Sequence, residues 1–201
     1  MGLPRTNTSD ARHSRVRLAF DARLGYLRFA MDPDAPFLES YDGQSTDELI
    51  ALEGKFRIDS IVLAFEAALD GKDAPSPAER AILAVEAMER EVNNGGFNQF
   101  FVNSSREFAP YLVESLNLIG CPRTAELCQQ ALDLLGVEDL FDTDALEDAA
   151  CEADDALMER FNALDDAYYA GAEEPIASRL FEFIKRNRGD VSLDDAAAGG
   201  R

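Results

Sequence analysis

The side chains in this sequence that could do chemistry are mainly carboxylates. Between Asp133 and Glu174 there are fifteen acidic residues and one base, Arg160. Closely spaced carboxylates bind divalent cations, exchange protons in hydrolysis, or present negative charge to a basic partner. The densest, loop-like cluster lacks the alternating acids, glycine and distant glutamate of an EF-hand, so we predict no metal site there. This cluster comprises Asp139, Asp142, Asp144, Glu147 and Asp148.

A second group of acids follows helical spacing. The pattern predicts one helix over about 151–170, with four acids on one face and two flanking them. Helical neighbours three or four positions apart lie about 5–6 Å from each other. A row of uncompensated carboxylates at this pitch resembles a phosphate backbone in charge spacing, although a face that serves only solubility would show the same pattern. The aligned acids are Glu152, Asp155, Glu159 and Asp166, and the flanking acids are Asp154 and Asp165.

Other reactive side chains are few. The single histidine, His13, lies in the N-terminal segment, which excludes most histidine-based acid–base and nucleophilic sites. The cysteines are odd in number and form no C-x-x-C pair, so neither a disulfide framework nor a zinc site is indicated. Cys121, Cys128 and Cys151 fall on helical faces rich in Leu and Ala, which favours buried thiols. We therefore predict no catalytic residue, no cofactor and a protein that is not an enzyme.

A glycine-rich turn at Asn93–Asn103 is the remaining candidate. It is not a phosphate-binding P-loop, because it lacks the Gly-Lys-Ser/Thr ending and follows a predicted helix. Asn and Gly tolerate the left-handed backbone that ends a helix, so the turn is predicted to be structural, and Phe97, Phe100 and Phe101 are predicted to bury a new short helix. The alternative is a ligand pocket lined by the amide side chains of the turn. The residues concerned are Asn93, Asn94, Gly95, Gly96, Phe97, Gln99, Phe100 and Asn103.

Capping signals place helices along most of the chain. Ser45 and Ser76 each begin a capping box, and Pro122 and Pro175 occupy first-turn positions where proline is favoured. Apolar residues recur with helical period after each signal, and no useful length alternates with period two. The sequence therefore predicts an all-α fold, a single acidic multi-helix domain over 44–190.

The two ends of the chain are predicted to lie outside this domain. Residues 1–43 have no sustained period and are predicted to form a mostly disordered tail and linker. The first thirty residues are basic, with six Arg and two Asp. Residues 191–201 are predicted to be a flexible, frayed C-terminus.

The charge balance restricts the class of partner. The formal net charge is −20, and with the basic segment excluded, residues 31–201 hold 13 bases and 37 acids. Such a body repels nucleic acid and anionic membranes and attracts basic proteins in a salt-dependent way. Scarce, unpaired cysteines and the absence of a long apolar run predict a cytoplasmic protein with no membrane association.

The segment E-V-N-N-G-G-F-N-Q-F-F-V-N-S-S at 91–105 closely resembles the signature of a bacterial family of acidic helical DNA-mimic proteins. Residues 109–116 and Ile119-Gly120 resemble its continuation, and the likeness extends over about 46–190. The resemblance implies an all-helical fold, a homodimer, and acidic side chains that imitate duplex phosphates. It implies a partner that is a basic DNA-binding protein, such as a helix-turn-helix repressor, which the protein would keep off its operator.

Three functions are consistent with these observations. The leading hypothesis is an acidic binding protein that regulates transcription by sequestering a basic DNA-binding regulator, without binding nucleic acid itself. The second is a small-ligand-binding protein or enzyme built on the Asn93–Asn103 turn. The third is a generic interaction protein whose acidity serves solubility.

Overall fold

The computed structural model describes residues 35–170 and 174–193. Within these residues the fold is all-α, as predicted, and contains no β-strand. The basic N-terminal segment, His13 and residues 194–201 lie outside the described residues. The helices are α1 Thr46–Ile50, α2 Ile58–Leu69, α3 Pro77–Val102, α4 Ala109–Ile119, α5 Pro122–Leu135, α6 Thr143–Cys151, α7 Asp155–Ala170 and α8 Ile176–Arg186, with 3-10 helices at Ser104–Phe108 and Arg188–Asp190.

Local signals fix most helix ends. The capping boxes predicted at Ser45 and Ser76 are confirmed: each hydroxyl accepts from the backbone N–H three residues on, and that Glu accepts from the serine N–H. Gly120 and Gly136 end α4 and α5 in the left-handed conformation. Pro122 occupies the first position of α5, as the sequence predicts.

Helix α3 is the central element of the core. It packs against α2 and against α4, α5, α6, α7 and α8. Each of these helices has an apolar stripe that needs a partner surface, and α3 supplies buried residues on several sides. The largest rings buried in this core are Phe65, Phe97, Phe100, Phe101, Phe161 and Phe181.

Two helical segments differ from their predicted extents. The run that begins at Ser45 divides into α1 and α2, with a turn around Gly54 between them. The acidic cluster predicted to be a loop contains α6, whose first turn is capped by the Asp142 carboxylate accepting from the Ala145 N–H at 3.0 Å. Leu146 and Ala150 are the buried residues of this helix. The sequence pattern did not indicate the helix because this short apolar stripe lies among many acids.

The packed unit also extends beyond the predicted domain at both ends. The Leu38 N–H donates to Ser60 Oγ at 3.0 Å, so the chain before α1 contacts α2 rather than belonging to a tail. At the other end, Val191 and Leu193 are buried in the core. The Ser192 N–H donates to the buried Glu79 carboxylate at 2.7 Å, a long-range contact that a local reading of the sequence cannot find.

Burial raises the pKa of two carboxyl groups of α3. Glu86 is 6% exposed, and burial together with the neighbouring charges of Glu66 and Glu89 raises its pKa to about 8. Burial also raises the pKa of Glu89 to about 7. Glu86 lies four residues before Arg90, a spacing that favours an ion pair on a helix, but Arg90 pairs instead with Glu66 on α2.

We expect these two groups to make the protein less stable as pH rises. A carboxyl whose pKa is higher in the folded than in the unfolded state favours folding while protonated, and this contribution is lost as pH rises toward the folded pKa. From about pH 5.5 to about pH 7.5 the free energy of unfolding should fall by about 2 kcal/mol through Glu86. Urea denaturation across this range at fixed ionic strength measures the change.

Glu86→Gln should flatten this dependence, because glutamine fills the same space and does not titrate. Glu107→Gln is the matched control, since it removes one carboxylate from an exposed position. Equal pH dependence in Glu86→Gln and wild-type protein would contradict the assignment.

Candidate partner-binding surface

A buried carboxylate holds the glycine-rich turn together. Glu91 is 7% exposed, and its two oxygens accept from Gln99 Nε2 at 3.0 Å, Asn103 Nδ2 at 2.7 Å and Ser105 Oγ at 2.7 Å. Burial alone would raise its pKa, but these hydrogen bonds and the charge of Arg90 hold the pKa of Glu91 below its ordinary value. These three side chains therefore satisfy the Glu91 carboxylate.

The turn itself is a bend within α3. Gly95 and Gly96 leave helical geometry, and Gly96 has φ 84° and ψ 178°, a region that essentially only glycine adopts. A Cβ at Gly96 would collide with the carboxylate of Asp165 from α7. The Phe97 N–H, freed by the bend, donates to Asp165 Oδ1 at 2.8 Å. Asp165 thus caps the second half of α3 across the helix interface.

Two tyrosines fix α7 on α3 beside this contact. The Tyr169 hydroxyl donates to the Val92 carbonyl at 2.8 Å, and the Tyr168 hydroxyl donates to the Glu89 carboxylate. The ring of Tyr168 also packs edge-on against Phe97. The position of α7, and of every acid on its outer side, therefore depends on the bend.

The geometry does not favour a ligand pocket at the turn. Asn93 and Asn94 are exposed, while the amides of Gln99 and Asn103 point to Glu91. One surface cavity of about 370 Å³ lies between α5 and α7, and another of about 330 Å³ lies between α2, α3 and the 3-10 helix Ser104–Phe108, next to the turn. None of these four amide residues lines either cavity.

Four acids predicted to bind a partner have structural contacts. Asp142 and Asp154 cap the first turns of α6 and α7, Asp154 accepting from the Leu157 N–H at 2.8 Å. Glu147 forms an ion pair with Arg106. Asp165 is half-buried against the bend, and its burial raises its pKa.

The other six predicted acids are exposed, and among the described residues none has a hydrogen-bond or ion-pair partner through its side chain. We call them the open acidic set. Three of them, on α7, form a stripe on one side of the helix, and the other three lie on α6 or just after it. The set is Asp144, Asp148, Glu152, Asp155, Glu159 and Asp166.

The predicted four-acid helical row is interrupted. Helix α6 ends at Cys151 and α7 begins at Asp155, so Glu152 does not lie on the same helix as Asp155, Glu159 and Asp166. The Asp154 cap starts a new helix where the periodicity alone suggested continuity.

The thiols follow the prediction in two cases of three. Cys121 and Cys128 are buried, and burial raises the pKa of both thiols. Cys151 is exposed at the end of α6, contrary to the prediction. In the described part of the chain no group of three or more His, Cys, Asp or Glu side chains is placed to hold a metal ion.

Comparison with known proteins identifies the family. Residues 73–187, more than half of the chain, match the family model for DMP19-like protein. The chain belongs to the DMP19-like family. The matched range contains the Glu91 cluster, the bend and α7, and it supports the family suggested by the resemblance at 91–105.

Two further comparisons add no relative of this DMP19-like chain. No curated protein and no solved structure matches it significantly. The DMP19-like family is not known as an enzyme family, which is compatible with a protein that is not an enzyme. Within the described residues, no helix is both long and apolar enough to cross a membrane.

Gly96→Ala should be markedly destabilising. The substitution forces an L side chain into a glycine-only conformation and displaces Asp165, so the free energy of unfolding should fall by about 2 kcal/mol or more. Gly120→Ala is the control: Gly120 also has a positive φ, but nothing lies within 4 Å of its added Cβ, and it should cost about 1 kcal/mol. Thermal and urea denaturation measure the loss of stability in both variants. Equal losses of unfolding free energy would contradict the close approach of Asp165 to Gly96.

Asp165→Ala and Asp166→Ala should distinguish the structural role of the Asp165 carboxylate from the surface charge of Asp166. Asp165→Ala removes the acceptor of the Phe97 N–H and should cost about 1 kcal/mol of stability. Asp166→Ala removes an exposed carboxylate and should change stability by less than about 0.5 kcal/mol. Comparable stability of the two variants in urea denaturation would show that Asp165 is not a cap.

Proposed function

We propose that this protein acts as a DNA mimic, with the open acidic set occupying the DNA-binding surface of a basic regulatory protein. The observation that carries the proposal is the concentration of six exposed, uncompensated carboxylates on α6, α7 and the corner between them. Membership of the DMP19-like family supports a DNA-mimic role in general terms.

The energetics of the partner favour this mechanism. Proteins that bind DNA obtain most of their non-specific affinity from contacts of Lys and Arg with phosphates. A rigid group of carboxylates competes for the same cations and needs no base recognition. The partner proposed is therefore a basic DNA-binding regulator, for example a helix-turn-helix protein, which would be kept off its operator.

The packing of α7 supports a fixed rather than a fluctuating charge pattern. Phe161 is fully buried, and the contacts of Tyr168, Tyr169 and Asp165 attach the helix to α3. Along α7 the rise per residue separates Asp155 from Glu159 by about 6 Å and Glu159 from Asp166 by about 10 Å. Because these carboxylates lie on a packed helix, little order has to be gained when a partner binds.

The oligomeric state and compartment belong to the same proposal. We propose a homodimer, on the family resemblance at 91–105, and a cytoplasmic location, where free thiols such as Cys121, Cys128 and Cys151 remain reduced. The protein is proposed to bind neither nucleic acid nor membranes, because its net charge repels both.

Neutralising part of the open acidic set should abolish or greatly weaken partner binding. The variant combines Glu152→Gln, Asp155→Asn, Glu159→Gln and Asp166→Asn. Each exposed ion pair contributes about 0.2–1 kcal/mol, so affinity should fall about tenfold or more at low salt, with a shallower salt dependence. Helicity by circular dichroism should not change.

The matched control neutralises four exposed acids elsewhere, with the same change in net charge. It combines Asp70→Asn, Asp73→Asn, Glu107→Gln and Glu114→Gln. Partners are captured from native cell extract, eluted with a salt gradient and tested for competition by their operator DNA. Equal retention of the partner by both variants would exclude the open acidic set as the binding surface, and retention that does not change with salt would favour an apolar interaction module instead.

A further inference from the structure

A shallow groove of about 370 Å³ runs between α5 and α7, and its lining is mainly apolar. Leu134 of α5 and Leu164 of α7 are half-buried in it, and Ala163 is exposed at its edge. Gln130, Asp133 and Arg160 complete the lining. An open apolar groove of this kind has no counterpart in the phosphate backbone of a nucleic acid.

The groove borders the acidic stripe of α7. Ala163 follows Glu159 by four residues and precedes Asp166 by three, so both carboxylates are its neighbours on the helix surface, about 5–6 Å away between Cβ atoms. Asp133 adds a further exposed carboxylate from α5. Any molecule in the groove therefore contacts a negatively charged rim.

Arg160 makes the groove itself different from the stripe. It is the single base between Asp133 and Glu174, and it lines the groove rather than the acidic side. Its positive charge offsets the Asp133 carboxylate in the same lining, so the groove itself attracts lysine or arginine little, whereas the carboxylates of Glu159 and Asp166 are not offset and favour cations beside them. The arrangement suits an apolar side chain in the groove with cationic side chains next to it.

The same charges argue against a second copy of this chain as the occupant. A symmetric contact places the same surface patch of each copy against the other, so the Asp133, Glu159 and Asp166 carboxylates of both copies would be gathered in one interface. Like charges placed across an interface are destabilising. Charge complementarity instead selects a cationic partner.

We propose that the α5–α7 groove binds an apolar side chain of the cationic partner, flanked by lysine or arginine residues that pair with the α7 stripe. This inference rests on the proposed function, because it assigns a second part of the same binding surface. The carboxylates supply salt-dependent affinity that any basic surface could use. The groove adds a salt-independent contact. It selects partners that have an apolar residue next to the cationic residues that pair with the α7 stripe.

Two synthetic helical peptides of about 18 residues, long enough for stable helicity, serve as defined probes. Both have the same lysines on one face. One has leucines beside the lysines, and the other has alanines at those positions. Binding to the full chain is measured by fluorescence anisotropy across a salt series, with Ala163→Gln as the groove variant and Asn162→Gln as its matched control, since Asn162 lies toward the acidic stripe and is absent from the groove lining.

The wild-type chain should bind the leucine peptide about five- to tenfold more tightly than the alanine peptide, with equal salt dependence for the two. Ala163→Gln should remove this preference and leave the affinity for the alanine peptide unchanged. Asn162→Gln should retain it. Both variants change exposed residues, and matching thermal unfolding midpoints would verify that they fold equally.

Equal affinity of the wild-type chain for both peptides, or a leucine preference that survives in Ala163→Gln, would overturn the groove assignment. The proposed DNA mimicry would still stand if the four-acid variant of the open acidic set bound both peptides more weakly than the wild-type chain. If neither peptide binds the wild-type chain, the proposed function and the groove fail together. A change of oligomeric mass in Ala163→Gln, with no change in peptide affinity, would assign the groove to a second copy and also overturn the proposal.

Discussion

The burial of one charged group, the Glu91 carboxylate, constrains the rest of the structure. A buried carboxylate stays charged only when hydrogen bonds replace the water it has lost. Its donors, Gln99, Asn103 and Ser105, all come after the bend in α3. The chain must therefore turn at Gly95 and Gly96 for these donors to reach back. The satisfaction of one charge fixes the angle between the two halves of the central helix.

The consequences of that angle reach the surface through α7. The bend leaves the Phe97 N–H without a partner within α3. Asp165 approaches closely enough to accept from it because Gly96 has no side chain. Tyr169 then bonds a carbonyl of the first half of α3, while Phe97 of the second half packs against Tyr168. Helix α7 thus contacts both halves of α3. The contacts that hold its exposed carboxylates in one arrangement are hydrogen bonds and ring packing, in which at most one partner is charged.

Local features of this fold were predictable from the sequence, and features that depend on distant residues were not. The capping boxes at Ser45 and Ser76 and the left-handed ends of α4 and α5 depend on a few adjacent residues, so their signals survive in any context. Helix α6 was missed because only Leu146 and Ala150 are buried among many acids. The break before α7 depends on one cap, Asp154, in a segment whose apolar period is otherwise continuous.

The candidate surface shows the same division. The exposure of Glu159 and Asp166 follows from helical spacing on an amphipathic helix. Asp165 has the same charge and lies next to Asp166, but its bond to Phe97 joins residues 68 positions apart, and no pattern along α7 indicates it. The groove between α5 and α7 arises from the packing of two helices, so the sequence of either helix alone does not predict it. The exposed thiol of Cys151 next to Glu152, with Cys121 and Cys128 buried, makes this chain suitable for maleimide labelling at a single position. A fluorophore attached there would lie at the edge of the acidic surface, so occupancy by a partner becomes an optical signal without any engineered residue.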